Sequence, residues 1–160
     1  LYAFGWRPAK TANHGTLVQP PRALPIAALG DAAGRASGKW LLVIAGDAPC
    51  ETDCVALAEG TRNIQVALNR DMGRLVRIVL AAPEASGEGL ATLKALQARQ
   101  PDLLVVPPPD AWRAAMAAGP RHRLFVLDPA GNLMMQYAPD AEARGGHADL
   151  ERLLKASWIG

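Results

Sequence analysis

The feature that most constrains this chain is a junction. The unbroken apolar run Trp40-Leu41-Leu42-Val43-Ile44-Ala45 ends in Gly46-Asp47-Ala48-Pro49 and delivers Cys50 into the start of a helical pattern. Six consecutive apolar residues bounded by turn residues describe a strand covered on both faces. The pattern that follows, about Cys50 to Asn69, carries Val55, Leu57, Ile64 and Leu68 at helical spacing, with Gly60 as a point where it could kink. A buried strand handing directly to a helix is the unit from which parallel sheets are built.

The rest of the chain continues that pattern. Leu75–Leu80 is expected as a second strand, 90–99 as a helix, Leu103–Val106 as a short strand stopped by Pro107-Pro108-Pro109, and 110–118 as a short helix capped by Asp110. Arg123–Leu127 and Leu133–Tyr137 flank the turn Asp128-Pro129-Ala130-Gly131-Asn132 and read as a hairpin. A closing helix is expected over 149–157, with Leu150, Leu153 and Leu154 on one face. Early alternation implies parallel crossovers, and the late hairpin adds antiparallel strands. The expected class is therefore α/β, a mixed central sheet flanked by helices, with a C-terminal hairpin and helix. Residues 1–22 are Pro-rich and expected to be irregular, extended around Gln19-Pro20-Pro21-Arg22. Residues 23–160 then form one domain, a size that supports a proper core.

Charge excludes one class of partner. Seventeen Lys and Arg against fifteen Asp and Glu leave a formal net charge of +2, scattered along the chain, which does not suit nucleic acid. No stretch reaches the roughly 18 consecutive apolar residues of a transmembrane helix, and no signal peptide is visible. The opening Leu1-Tyr2-Ala3-Phe4-Gly5-Trp6-Arg7 has the interfacial aromatic character of the end of a membrane anchor.

The chain has two cysteines, Cys50 and Cys54. Amide groups at a helix start stabilise negative charge, so a cysteine there gains thiolate character. The flanking carboxylates of Glu51 and Asp53 oppose that effect. If both cysteines are helical they lie one turn apart on one face, with Cα atoms ~6 Å apart, within reach of a disulfide or of one soft ion such as Cu(I). A purely structural staple is the weaker reading, because a short loop gains little from closure. A third metal ligand would come from His14, His122, His147, Met134 or Met135. Of these, His14 and His147 have solvent-facing contexts, and one of the two methionines is expected in the core. Phosphate loops, nucleophile elbows and carboxylate–histidine clusters are absent from the sequence.

The stretches Leu24-Pro25, Leu29-Gly30-Asp31, Gly38-Lys39-Trp40-Leu41-Leu42-Val43 and Leu124-Phe125-Val126-Leu127-Asp128-Pro129-Ala130-Gly131 resemble periplasmic thioredoxin-like proteins. The Cys-x-x-x-Cys spacing resembles the Sco/SenC family, copper-binding assembly factors of cytochrome c oxidase. Asn13–Arg22, Arg62–Leu68 and Gly131–Tyr137 extend the resemblance, over nearly the full length, to small membrane-anchored bacterial proteins associated with cytochrome oxidase genes. The resemblance implies a thioredoxin-like fold and a periplasmic domain held to the inner membrane by a helix ahead of Leu1. It also implies Cys50 and Cys54 as the reacting pair and as copper ligands. In such a sheet the start of the strand Arg123–Leu127 faces the cysteine loop, which makes His122 the candidate third ligand. The chain departs from the Sco pattern at two places. Val55 stands where a proline usually follows the second cysteine. Pro120 occupies the place of the copper-binding histidine, with His122 two residues on, roughly 7 Å along a strand. The expected function is an assembly factor for cytochrome c oxidase that binds Cu(I) or exchanges disulfides with an oxidase subunit or another assembly factor. The alternatives are a metal-free periplasmic thiol–disulfide oxidoreductase, the only enzymatic activity expected, and a non-enzymatic interaction module.

Overall fold

The computed structural model describes residues 16–46, 50, 52–67, 73–81, 87–116 and 122–137. Six strands form one sheet: β1 (Thr16–Ala23), β2 (Trp40–Ala45), β3 (Leu75–Leu80), β4 (Leu104–Val106), β5 (Arg123–Leu127) and β6 (Asn132–Tyr137). Their spatial order is β1-β6-β5-β2-β3-β4. The helices are α1 (Ala33–Ala36), preceded by a 3-10 segment over Ile26–Ala32, α2 (Thr52–Ala67), α3 (Gly87–Arg99) and α4 (Asp110–Ala115).

β2, β3 and β4 run parallel, joined through α2 and α3. Both crossovers step in the same direction along the sheet, and the fixed hand of such connections puts both helices on one face. The packing agrees. Trp40, Leu42 and Ile44 of β2 meet Ala58 and Ile64 of α2 and Leu93 and Leu96 of α3 in one core. Leu41, Val43 and Ala45 enter a second core with Leu29, Ala36, Trp112 and Met116 on the other face. Every β2 side chain is buried, which is why the run is apolar without alternation. After α4 the chain returns as β5, antiparallel to β2, and turns into β6. Asp128 fixes that turn. Its Oδ1 accepts from the backbone N–H groups of Ala130 and Asn132, and Gly131 takes a φ of 91° with Leu24 O and Ile26 close by. It is a hairpin turn, as its sequence implies.

The structure corrects three expectations. Thr16–Arg22, expected within an irregular segment, belongs to β1, antiparallel to β6 at the sheet edge. The pairing is irregular between Leu17 and Arg22, where Pro20 and Pro21 lack N–H donors, a feature only an edge strand tolerates. The segment ahead of β2 forms the 3-10 segment and α1, with Gly30 at φ 67° marking the kink between two helical pieces. α2 runs unbroken through Gly60. Met134 and Met135 are both buried, because the β5–β6 register slips between Val126 and Leu127 and turns both into one core. The expected helix over 149–157 lies outside the described residues, as do His14, Pro120 and His147.

Candidate functional site: a disulfide tied to the start of β5

β2 ends at the edge of the core, and α2 begins at Thr52, so Cys50 lies ahead of the helix and Cys54 in its first turn. The non-helical placement of Cys50 brings the Cα atoms to 5.0 Å, closer than the helical spacing expected, and the pair forms a disulfide. Both cysteines are buried, at 2 % and 0 % exposure, and pack into the α2-side core with Leu124 and Val126 of β5.

His122 precedes β5 and is 2 % exposed. Alternation along β5 puts it on the α2 side, with Leu124 and Val126. Its ring lies over Gly46 at the end of β2. A Cβ at Gly46 would stand 2.9 Å from His122 Cγ and 3.0 Å from its Cα, so glycine is what admits the ring. The residue joining His122 to the cysteines is Asp53. Its Oδ1 accepts from Cys54 N–H at 2.8 Å, and its Oδ2 accepts from His122 N–H at 2.7 Å. His122 Nδ1 lies 3.3 Å from Asp53 Oδ1, an ion-pair distance, but not in line for a hydrogen bond. Partial burial opposes ionisation of Asp53. The two N–H donors and the attraction of His122 outweigh it and hold the carboxyl below its ordinary value.

The structure thus brings Cys50, Cys54 and His122 to one end of the sheet. Sequence reasoning named Asp53 only as a charge opposing thiolate; its bond to His122, 69 positions on, had no local signal. Among the described residues, no three His, Cys, Asp or Glu side chains are grouped to hold a metal ion while the disulfide is closed. No helix among them is long and apolar enough to cross a membrane.

Comparison with known proteins agrees with this fold. Residues 40–157 match the family described as transmembrane-like, thioredoxin-like, C-terminal domain. The chain belongs to that family. A comparison with curated protein sequences finds no match. Among solved structures, the apo Sco1 protein of Thermus thermophilus is similar at 20 % identity and a TM-score of 0.60, over 88 % of this chain and 96 % of that one. Yeast Sco1 with copper bound is similar at 16 % identity and a TM-score of 0.56, over 76 % and 79 %. A Chlorobium tepidum protein assigned as the thiol:disulfide interchange protein DsbE follows at 15 % and 0.52, over 91 % and 98 %. At these identities the likeness establishes a thioredoxin-like fold, shared with Sco proteins and with thiol–disulfide oxidoreductases alike.

Proposed function

We propose that this chain is a Sco-like assembly factor for cytochrome c oxidase that works by disulfide exchange through Cys50 and Cys54. The observation that carries the reading is the closed pair at the β2–α2 junction, where helix amides favour a thiolate once the pair is reduced. The reading assigns the domain to the periplasm, tethered to the inner membrane ahead of Leu1, in keeping with the family's description as transmembrane-like. In the reduced chain the Cys50 thiolate attacks a partner disulfide, forming a mixed disulfide and releasing one partner thiolate. Cys54, giving up its proton, attacks the Cys50 sulfur and releases the second. Two electrons pass from this chain to the partner. The two protons lost by Cys50 and Cys54 end on the partner's sulfurs. A donor dithiol restores the reduced pair.

A second reading takes Cu(I) as cargo. It is favoured by the four-residue spacing, which turns two soft sulfurs to one point, and by the likeness to copper-bound yeast Sco1. His122, at the same end of the sheet, is the third ligand in this reading.

The two separate in one set of measurements, with a Cys50→Ser/Cys54→Ser variant beside the wild type. Equilibration of the wild-type pair with a dithiothreitol redox buffer, in one two-electron transition absent from the variant, is the result expected of exchange. A pair that resists reduction at every buffer ratio overturns it. Anaerobic titration of the reduced chain with Cu(I) against a chelator then decides the cargo. One tight equivalent, lost in the variant, supports copper handling. Binding no stronger than the variant's removes it and leaves exchange.

A further inference from the structure

Asp53 lies between the two cysteines in sequence and between two elements in space. One carboxylate oxygen holds Cys54 N–H in the first turn of α2. The other holds the backbone of His122 at the start of β5, while Gly46 leaves the space that the His122 ring fills. The His122 side chain is almost wholly buried, and its Nδ1 has no aligned hydrogen-bond partner, lying 3.3 Å from that same carboxylate. The starts of α2 and β5 meet on this carboxylate, and the end of β2 packs against the histidine whose backbone it holds.

We propose that Asp53 is a positioning residue that straps the cysteine pair to β5 and biases Cys50–Cys54 towards the disulfide; the inference rests on the exchange reading above. Two physical effects act in the same direction. The strap holds the first turn of α2 in the arrangement seen with the disulfide closed, so it favours the closed pair wherever the reduced sulfurs would move apart. The carboxylate also occupies the Cys54 N–H, one of the helix-start amides otherwise able to face a thiolate, and adds negative charge beside the sulfurs. Both effects make the reduced pair less favourable than the fold alone would. Asp53 touches no substrate in this scheme; it acts through the backbone that carries the cysteines.

The test is the equilibrium with dithiothreitol, in which the disulfide takes two electrons and two protons from the reagent's dithiol and leaves its cyclic disulfide. Asp53→Asn keeps one acceptor oxygen and removes the charge; Asp53→Ala removes both. The equilibrium constant for reduction is expected to rise about tenfold in Asp53→Asn, a shift of ~30 mV, and further in Asp53→Ala. Gly46→Ala leaves every charge in place but drives a methyl into His122, and is expected to shift the constant the same way. Far-UV circular dichroism reports whether each variant is folded. Asp53 variants within twofold of a wild type that itself equilibrates overturn the proposal and spare the exchange reading. If the Asp53 variants do not fold, a folded Gly46→Ala with an unchanged constant overturns it equally. A wild-type pair that cannot be reduced overturns the exchange reading and this inference with it.

Discussion

Helix α2 takes part in two polar clusters, one at its first turn and one further along, and they are built to different standards. At the first turn, Asp53 gathers two backbone N–H groups, while the buried His122 Nδ1 faces it without alignment. Further along stands Arg77, which β3 carries into the core with a side chain that is wholly buried. Its Nε donates to Gln65 Oε1, its Nη1 to Ala58 O and Gln100 Oε1, and its Nη2 to Asp102 Oδ1. Gln65 in turn donates to Leu75 O. Burial pulls the guanidinium pKa below its usual value, against the attraction of Asp102, yet arginine stays charged in proteins. The Arg77 cluster ties α2, β3 and the segment after α3 together through four Arg77 hydrogen bonds to matched acceptors. The cysteine end keeps a covalent bond that can open and a polar atom not fully used. A buried polar network fixes a structure where it is satisfied throughout, and leaves room for change where it is not.

The comparison breaks most readily at Arg77. Arg77→Leu removes the Arg77 donors from the buried Gln65 Oε1 and Gln100 Oε1, while Ala58 O still accepts from Thr61 Oγ1. The ion pair with the half-exposed Asp102 adds little, because solvent screens it. The loss of these buried, charge-assisted hydrogen bonds alone predicts a cost of about 3 kcal/mol or more. Urea unfolding of the oxidised protein measures it. The dithiothreitol equilibrium of the folded fraction is expected to stay at the wild-type value. A redox shift as large as that of the Asp53 variants would show that the two ends of α2 are one coupled unit and not two.

The cysteine end should behave in the opposite way, with a large chemical effect and a small effect on stability. Cys50→Ser/Cys54→Ser opens a loop of four residues in sequence separation, and so short a loop is worth about 2 kcal/mol at most in the chain-entropy picture. Unfolding in urea is therefore expected to cost the double variant less than Arg77→Leu costs, although every exchange activity is gone. A larger loss would make the disulfide a structural staple and favour the interaction-module alternative.

This contrast also explains what the sequence discloses. β2 is legible because both faces are buried and its residues form an unbroken apolar run, β3 and β5 because each is apolar but for a single arginine, and the junction at Cys50 because strand, turn and cysteine adjoin along the chain. β1 is not, since Pro20 and Pro21 carry none of the usual strand signal and its order comes from the pairing with β6. Arg77 had a signal that could have been used, a lone charge inside the apolar run Leu75–Leu80, where burial demands partners. The Asp53–His122 link had none, because its two halves lie on different elements. The cysteine pair was therefore visible from sequence, and the group proposed to tune it was not.

The smallest effect expected is also the one that separates charge from geometry at Asp53. Partial burial raises the cost of ionising this carboxyl, but the His122 N–H, the attraction of His122 and the Cys54 N–H together bring it below the ordinary 3.8. A folded-state value below the unfolded one adds stability that is complete above the unfolded carboxylate range, about pH 4. That stability is lost as pH falls through the lower folded value. The difference in unfolding free energy between wild type and Asp53→Asn is therefore expected to be flat from neutral pH to about pH 5 and to shrink below about pH 4. Urea unfolding at stepped pH, with the disulfide intact in both proteins, reads this directly. If the difference persists unchanged into strong acid, the negative charge contributes nothing to folding. Asp53 then holds the loop by shape and hydrogen bonding alone, as the neutral amides of Gln65 and Gln100 do around Arg77.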